Sequence, residues 1–195
     1  LRTGAWAAAG LRHLASLDYM ERPRDLAPRP RALPDGITLT AWDPADRGLL
    51  EGLLPRTYEE TLDCPGLASM REPGDILEGH LAVGEHDPRL WTVAWQAGEP
   101  VGALLLSPAP ESDSLEVVYL GMVLPMRGKG LGSALLSHGL AAVHPRRERT
   151  VALAVDARNT PAVALYARAG FRTVRRREAF VAAIHDGRAL GATGQ

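Results

Sequence analysis

One cysteine, Cys64, is the chain's entire thiol content. That excludes an internal disulfide and suits a reducing, cytoplasmic setting. No Cys or His neighbours it at ligand spacing, so no metal site is expected. Excess charge is also missing. The formal net charge is −1, which leaves no global basic field to favour nucleic acid or an anionic membrane as partner. The local clusters Arg146, Arg147, Arg149 and Arg175, Arg176, Arg177 read as solvated faces near the ends of elements. No apolar run approaches the roughly 18 residues that a membrane span requires. The stretch LRTGAWAAAGLRHLASL is interrupted by Arg12 and His13 and lacks the layout of a signal peptide.

What is there is an ordinary globular composition, 46% hydrophobic and 23% charged over 195 residues, enough for one domain with a sizeable core. Residues 21–35 (ERPRDLAPRPRALPD) carry four prolines and read as an extended linker. They separate an arm at 1–20 from a domain at 36–185, with a flexible tail at 186–195. After the linker, GITLTAW alternates as a strand. Asp43 and Pro44 then signal a helix start. REPGDILEGHLAVG reads as one or two short helices. WTVAWQAGEPVGALLLS is two strands around a turn at Ala97 to Pro100, and SLEVVYLGMVL a third strand, apolar enough for burial on both faces. Helix SALLSHGLAAV, strand RTVALAV and helix NTPAVALYARAG follow, the last between Asn159 near its N-cap and Gly170 past its end. FRTVRRREAFVAAI closes the domain. This order predicts an α/β fold whose sheet mixes antiparallel and parallel pairs.

The stretch VLPMRGKGLGSALLSHGL sets Gly128, Gly130 and Gly132 at the mouth of a helix, with Arg127 and Lys129 interleaved. A P-loop needs GxxxxGK followed by Ser or Thr, and neither part is met. A dinucleotide-binding turn needs GxGxxG after a first strand, whereas this is GxGxG after a fourth. A ligand-free turn needs one permissive residue rather than three, since each glycine costs backbone entropy. The remaining reading is an anion cradle, in which successive N–H groups and the helix dipole face a pyrophosphate.

Arg127-Gly-Lys-Gly-Leu-Gly132 resembles the (Arg/Gln)-x-x-Gly-x-(Gly/Ala) loop of the GCN5-related N-acetyltransferase (GNAT) family. ARNTPAVALYARAGF, with Asn159, Tyr166, Gly170 and Phe171, is similar to the family's second signature. The resemblance covers about residues 36–184. It implies a mixed sheet flanked by helices whose fourth and fifth strands splay apart, with a bulge at Gly121 opening the gap. It implies acetyl-CoA as cosubstrate. Pyrophosphate would lie on Arg127, Gly128, Lys129, Gly130, Leu131, Gly132 and Ser133, and pantetheine would pair with the backbone of Met122 and Val123. Asn159 would cap its helix, contact pantetheine, or do both. Glu116 matches the position of a catalytic glutamate in one branch of the family and would act as general base toward an amine. Tyr166 would protonate the departing thiolate. Thr57 to Leu67 sits where acceptor-binding helices lie, so Tyr58, Glu60, Asp63 and Cys64 are candidates for that pocket. The implied function is direct acyl transfer to a small-molecule or peptide amine. A non-catalytic acyl-CoA sensor on the same fold is the alternative.

The arm carries one more pattern. WAAAGLRHL (Trp6 to Leu14) aligns with YARAGFRTV (Tyr166 to Val174) when Gly10 is set on Gly170. On this reading residues 1–20 are the tail of an upstream acetyltransferase-like half, with Trp6 in the tyrosine position. An amphipathic arm packed on the domain or on the second subunit of a homodimer is the other.

Overall fold

The computed structural model describes residues 10–68, 73–182, 184–185 and 188–189. Trp6 and most of the C-terminal tail lie outside them. The strands are β1 (Arg12–Pro23), β2 (Ile37–Ala41), β3 (Trp91–Gln96), β4 (Glu99–Ala109), β5 (Ser114–Met122), β6 (Thr150–Asp156) and β7 (Arg172–Val181). The principal helices are α1 (Arg47–Tyr58), α2 (Pro73–Leu81), α3 (Leu131–Val143) and α4 (Thr160–Arg168). One sheet runs β2-β3-β4-β5-β6-β1-β7. Its single parallel pair is β5 with β6; every other pairing is antiparallel.

Strand β4 reads as a continuous apolar run because both its faces are covered, and Val101 through Pro108 are all buried. Along it, Leu104 and Leu106 contact Gly139 of α3, where an added Cβ would sit 2.3 Å from Leu104. Leu105 pairs with Tyr119, whose hydroxyl meets Thr57 of α1. Side chains alternate across a strand, so α3 and α1 cover opposite faces. Helix α1 begins one turn later than Asp43 signals. Asp43 instead accepts from the amide of Ala45 in a local turn, and Asp46 caps the helix by accepting from the Leu49 amide.

The largest departure from the sequence reading is at the N-terminus. Residues 12–20 of the expected arm and 21–23 of the expected linker form β1, inserted between β6 and β7. The connecting stretch therefore begins at Arg24, not at residue 21, and the strand before it is not separate from the domain. Pro23 is tolerated because it ends the strand. Buried Asp18 is held by the Arg176 guanidinium at 2.7 and 2.8 Å, which keeps its carboxyl below the usual carboxylate range. Two of the basic clusters are thus partly spent in place, on Asp18 and, through Arg146, on Glu148.

The β1–β7 register has an internal symmetry. A shift of 160 residues turns Arg12↔Val181 into Arg172↔Glu21, and His13↔Phe180 into Thr173↔Met20. The pair Leu17↔Arg177 maps onto itself. Both register irregularities are exchanged as well: Leu14 is the unpaired residue on one strand, Val174 on the other. Gly10 and Gly170, which precede the strands, share the left-handed conformation at φ 78° and 94°.

Candidate active site

Strands β5 and β6 pair only from Ser114–Glu116 to Thr150–Ala152. Beyond that point they separate, since β5 continues to Met122 beside β4 and β6 to Asp156 beside β1. The gap is the mouth of a cleft of about 560 Å³. The local irregularity that helps β5 turn away is at Val118, which stands unpaired between Leu105↔Tyr119 and Leu106↔Val117. The expected bulge at Gly121 is not there: Gly121 pairs in register with Ala103. Its lack of a side chain has another cause. A Cβ at this position would lie 2.3 Å from the Tyr119 hydroxyl, so the glycine makes room for that ring.

At one end of the cleft the glycine loop leads into α3. Gly128 and Gly130 adopt φ +72° and +87°, with nothing within 4 Å of an added Cβ. Gly130 is the N-cap of α3 and offers no side-chain cap, which leaves the first amides of the helix for an external acceptor. Gly132 serves packing instead, because its Cβ would meet Met122 at 3.0 Å and Leu165 at 3.2 Å. Two glycines shape an open loop at the mouth of α3, and the third lets α3 approach β5 and α4.

The other predicted anion and pantetheine residues divide. Met122, Arg127, Gly128, Gly130, Gly132, Ser133 and Asn159 line the cleft, while Val123, Lys129 and Leu131 do not. Val123 has its backbone engaged within the fold: its N–H donates to Val101 and its carbonyl accepts from Met126. Leu131 is fully buried in the core, so only its backbone can serve the cradle. Asn159 caps α4 through Ala162 at 3.3 Å and also faces the cleft. Arg127 departs most from expectation. Its guanidinium donates to the carbonyls of Thr57, Glu59, Glu60 and Met122. Its side chain therefore closes the C-terminus of α1 and ties the cradle to the segment on the opposite wall.

That wall is built from α1 and the turn after it. Tyr58 lines the cleft and its ring lies 5.2 Å from Tyr119; buried His80 hydrogen-bonds the Tyr58 hydroxyl at 3.2 Å. Asp63 also lines it. Its Oδ1 accepts from the Asp156 amide at 2.7 Å, while Asp156 accepts from the Cys64 amide at 3.2 Å. Burial, more than the neighbouring Asp156 charge, raises the Asp63 carboxyl above its ordinary value. Glu60 and Cys64 do not line the cleft; both hold positive φ in the turn itself. Sequence reading missed Thr57 and Tyr119. The signal available was a phenol inside an otherwise apolar strand, which needs a hydrogen-bond partner when buried.

Of the two expected proton-transfer groups, Tyr166 lines the cleft and is 8% exposed, with Phe171 edge-on at 5.8 Å. Burial drives its phenol above the ordinary value, and the Asp63 charge adds to this. Glu116 does not line the cleft. It stands at its apex, in the last residue pair before β5 and β6 part, where loss of solvent raises its carboxyl. Directly across on β4 is Ser107, a fully buried hydroxyl without a partner among the described residues.

Residues 54–171 match the acetyltransferase (GNAT) family model. The chain is 32% identical over 187 residues to a mycothiol acetyltransferase of Streptomyces bingchenggensis, covering 88% of this chain and 60% of that protein. Over 173 residues it is 34% identical to a mycothiol acetyltransferase of Clavibacter michiganensis, covering 84% and 55%. It thus spans less than two thirds of the length of these curated relatives. A GCN5-related N-acetyltransferase of Sphaerobacter thermophilus superposes with a TM-score of 0.65 at 27% identity, over 90% of this chain and 53% of that one. A tandem GNAT protein from the clavulanic acid biosynthesis pathway shares the fold, with a TM-score of 0.62 at 20% identity over 92% and 57% of the two chains.

Proposed function

Because this chain belongs to the acetyltransferase (GNAT) family, we propose that it transfers an acetyl group from acetyl-CoA to a primary amine by direct attack. The observation that carries this reading is the cradle at Gly128–Gly132 opening into the gap between β5 and β6, opposite a wall of Tyr58 and Asp63. A glycine-lined helix N-terminus suits a diphosphate, and a half-buried carboxylate on the facing wall suits a cationic amine. Acetyl-CoA supplies the acyl group as an activated thioester. The amides at the start of α3 hold the diphosphate. Glu116 takes the proton that the amine loses, through a water that the Ser107 hydroxyl helps to hold. Tyr166 gives a proton to the sulfur as the C–S bond breaks. Removing a proton from a lysine-like amine at pH 7 costs about 4–5 kcal/mol, which is why a base at the apex is useful. A small amine acceptor is favoured by the curated relatives, whose name specifies mycothiol. A cytoplasmic site of action fits a sequence with one cysteine and the cosubstrate. Titration calorimetry with acetyl-CoA, followed by a screen of small amines for CoA release, tests the proposal. Micromolar binding with turnover on an amine is expected. Binding without turnover on any amine would favour a sensor, and no binding would end both readings.

We further infer that Arg12–Pro23 is the closing strand of a second unit of this fold. The symmetry of the β1–β7 register supports it, because an unrelated arm would have no reason to repeat both the bulge position and the entering glycine. The reading frame upstream of residue 1 should then encode such a unit, joined without interruption. An unrelated sequence there would rule the idea out.

A further inference from the structure

We propose that the proline-rich connection between β1 and β2 belongs to the nucleotide site. Arg29 and Arg31 of that connection, with Arg168 of α4, form a subsite for the 3′-phosphate of CoA. This rests on the acyl-CoA reading of the cleft and extends it to Arg29 and Arg31, outside the family's two motifs, and to Arg168 within the second.

The three arginines line one small hollow together with Ser133 and Ser137 of α3. Ser133 and Arg168 also line the main cleft, so the hollow adjoins the cradle around the first turns of α3. From Leu131 to Ser137 is about 9 Å of helix at 1.5 Å per residue, a span that a ribose bearing a phosphate ester covers from the diphosphate. The connection is fastened at this place by two contacts. The Ser137 hydroxyl donates to the Arg29 carbonyl at 2.9 Å. Leu26 lies against Gly170 at the end of α4, where a Cβ would come within 2.7 Å of it.

Charge is the second observation. None of Arg29, Arg31 and Arg168 forms an ion pair among the described residues. Some surface arginines take carboxylates, Arg149 with Asp113, Arg158 with Asp156 and Arg176 with Asp18, and others such as Arg147 and Arg175 do not. What sets these three apart is that they share one hollow. Three guanidinium groups gathered on one hollow repel one another unless they share an anion. A phosphate monoester carries close to two charges at neutral pH and matches the guanidinium fork. The diphosphate itself is met by backbone amides at the cradle, so the cations placed one ribose away are left for the terminal phosphate.

Calorimetric titration of CoA and of 3′-dephospho-CoA tests this without any acceptor amine. Wild type should bind CoA about tenfold more tightly than the dephospho form, the scale of one or two charge-assisted hydrogen bonds. In the Arg29→Ser/Arg31→Ser double variant that preference should fall to about twofold or less, with affinity for 3′-dephospho-CoA unchanged. Arg168→Ser should reduce it in the same direction. Equal affinities in wild type would overturn the proposal. So would a preference that survives the double substitution, or an equal loss of both ligands, which would make the connection a support for the cradle. If neither ligand binds wild type, the acyl-CoA reading itself fails, an outcome distinct from the others.

Discussion

Replacing Gly130 with glutamate is expected to weaken acetyl-CoA binding by at least about 100-fold, or about 3 kcal/mol. Two effects act together. Gly130 has φ +87°, and its Cβ position opens into free space at the cradle, so the new side chain enters the volume reserved for the diphosphate. Its carboxylate also sits at the N-terminal end of α3, taking for itself the amides and the dipole that would serve the ligand. A side chain in the left-handed region costs roughly 1–2 kcal/mol. For a chain of this size that lowers Tm by only a few degrees, so the variant should remain folded.

Gly98→Ala separates strain from site. Gly98 turns the β3–β4 hairpin at φ +84°, also with nothing within 4 Å of its Cβ. It suffers the same backbone penalty without lining the cleft and should bind acetyl-CoA as wild type does. Titration of both variants at one temperature gives the comparison. If Gly130→Glu binds within a few-fold of wild type, the pyrophosphate does not lie on this loop. If Gly98→Ala loses binding as well, general destabilisation explains the loss.

The cradle was legible because its physics is local. Positive φ at Gly128 and Gly130, and a helix starting without a side-chain cap, leave their mark within a few residues. The same holds for Asn159 and Gly170 bracketing α4. The features that escaped are tertiary. Strand β1 buries Asp18 and Arg22 on either side of Met20 on one face, so that face does not look apolar. Asp18 depends on Arg176, 158 residues away, and Arg22 on the Leu26 carbonyl and the Phe171 ring. Arg127 looked like a phosphate ligand because cations suit phosphates. Its partners are instead carbonyls 67 to 70 residues earlier, plus that of Met122, and carbonyl groups carry no sequence signal. Gly121 is the same kind of case. What demands a glycine there is the path of the Tyr119 side chain two residues before it, and a one-dimensional pattern cannot distinguish that from a bulge.

Tyr166→Phe should lower kcat about 100-fold while leaving acetyl-CoA affinity within about threefold, the lower end of what a positioned general acid contributes. The lower end applies because a thiol has a reference pKa near 8.5 and leaves as thiolate with moderate ease. The ring stays in place in the variant, since its packing on Phe171 does not involve the hydroxyl. Burial raises the phenol's pKa, so it keeps its proton past pH 10, and wild-type kcat should show no alkaline fall from this group. Glu116 sets the opposite limb. A general base works deprotonated, and burial raises its carboxyl, so kcat/KM should fall as pH drops through a value above the ordinary 4.3 of glutamate. Glu116→Gln should remove that limb together with most of the rate, without changing acetyl-CoA binding. Steady-state kinetics from pH 5 to 10 on the three proteins decide the roles. Tyr166→Phe retaining more than half of wild-type kcat would reduce the phenol to a packing group. An acidic limb that persists in Glu116→Gln would pass the base role to another carboxylate, and Asp63 is the one that lines the cleft and shares the upward shift.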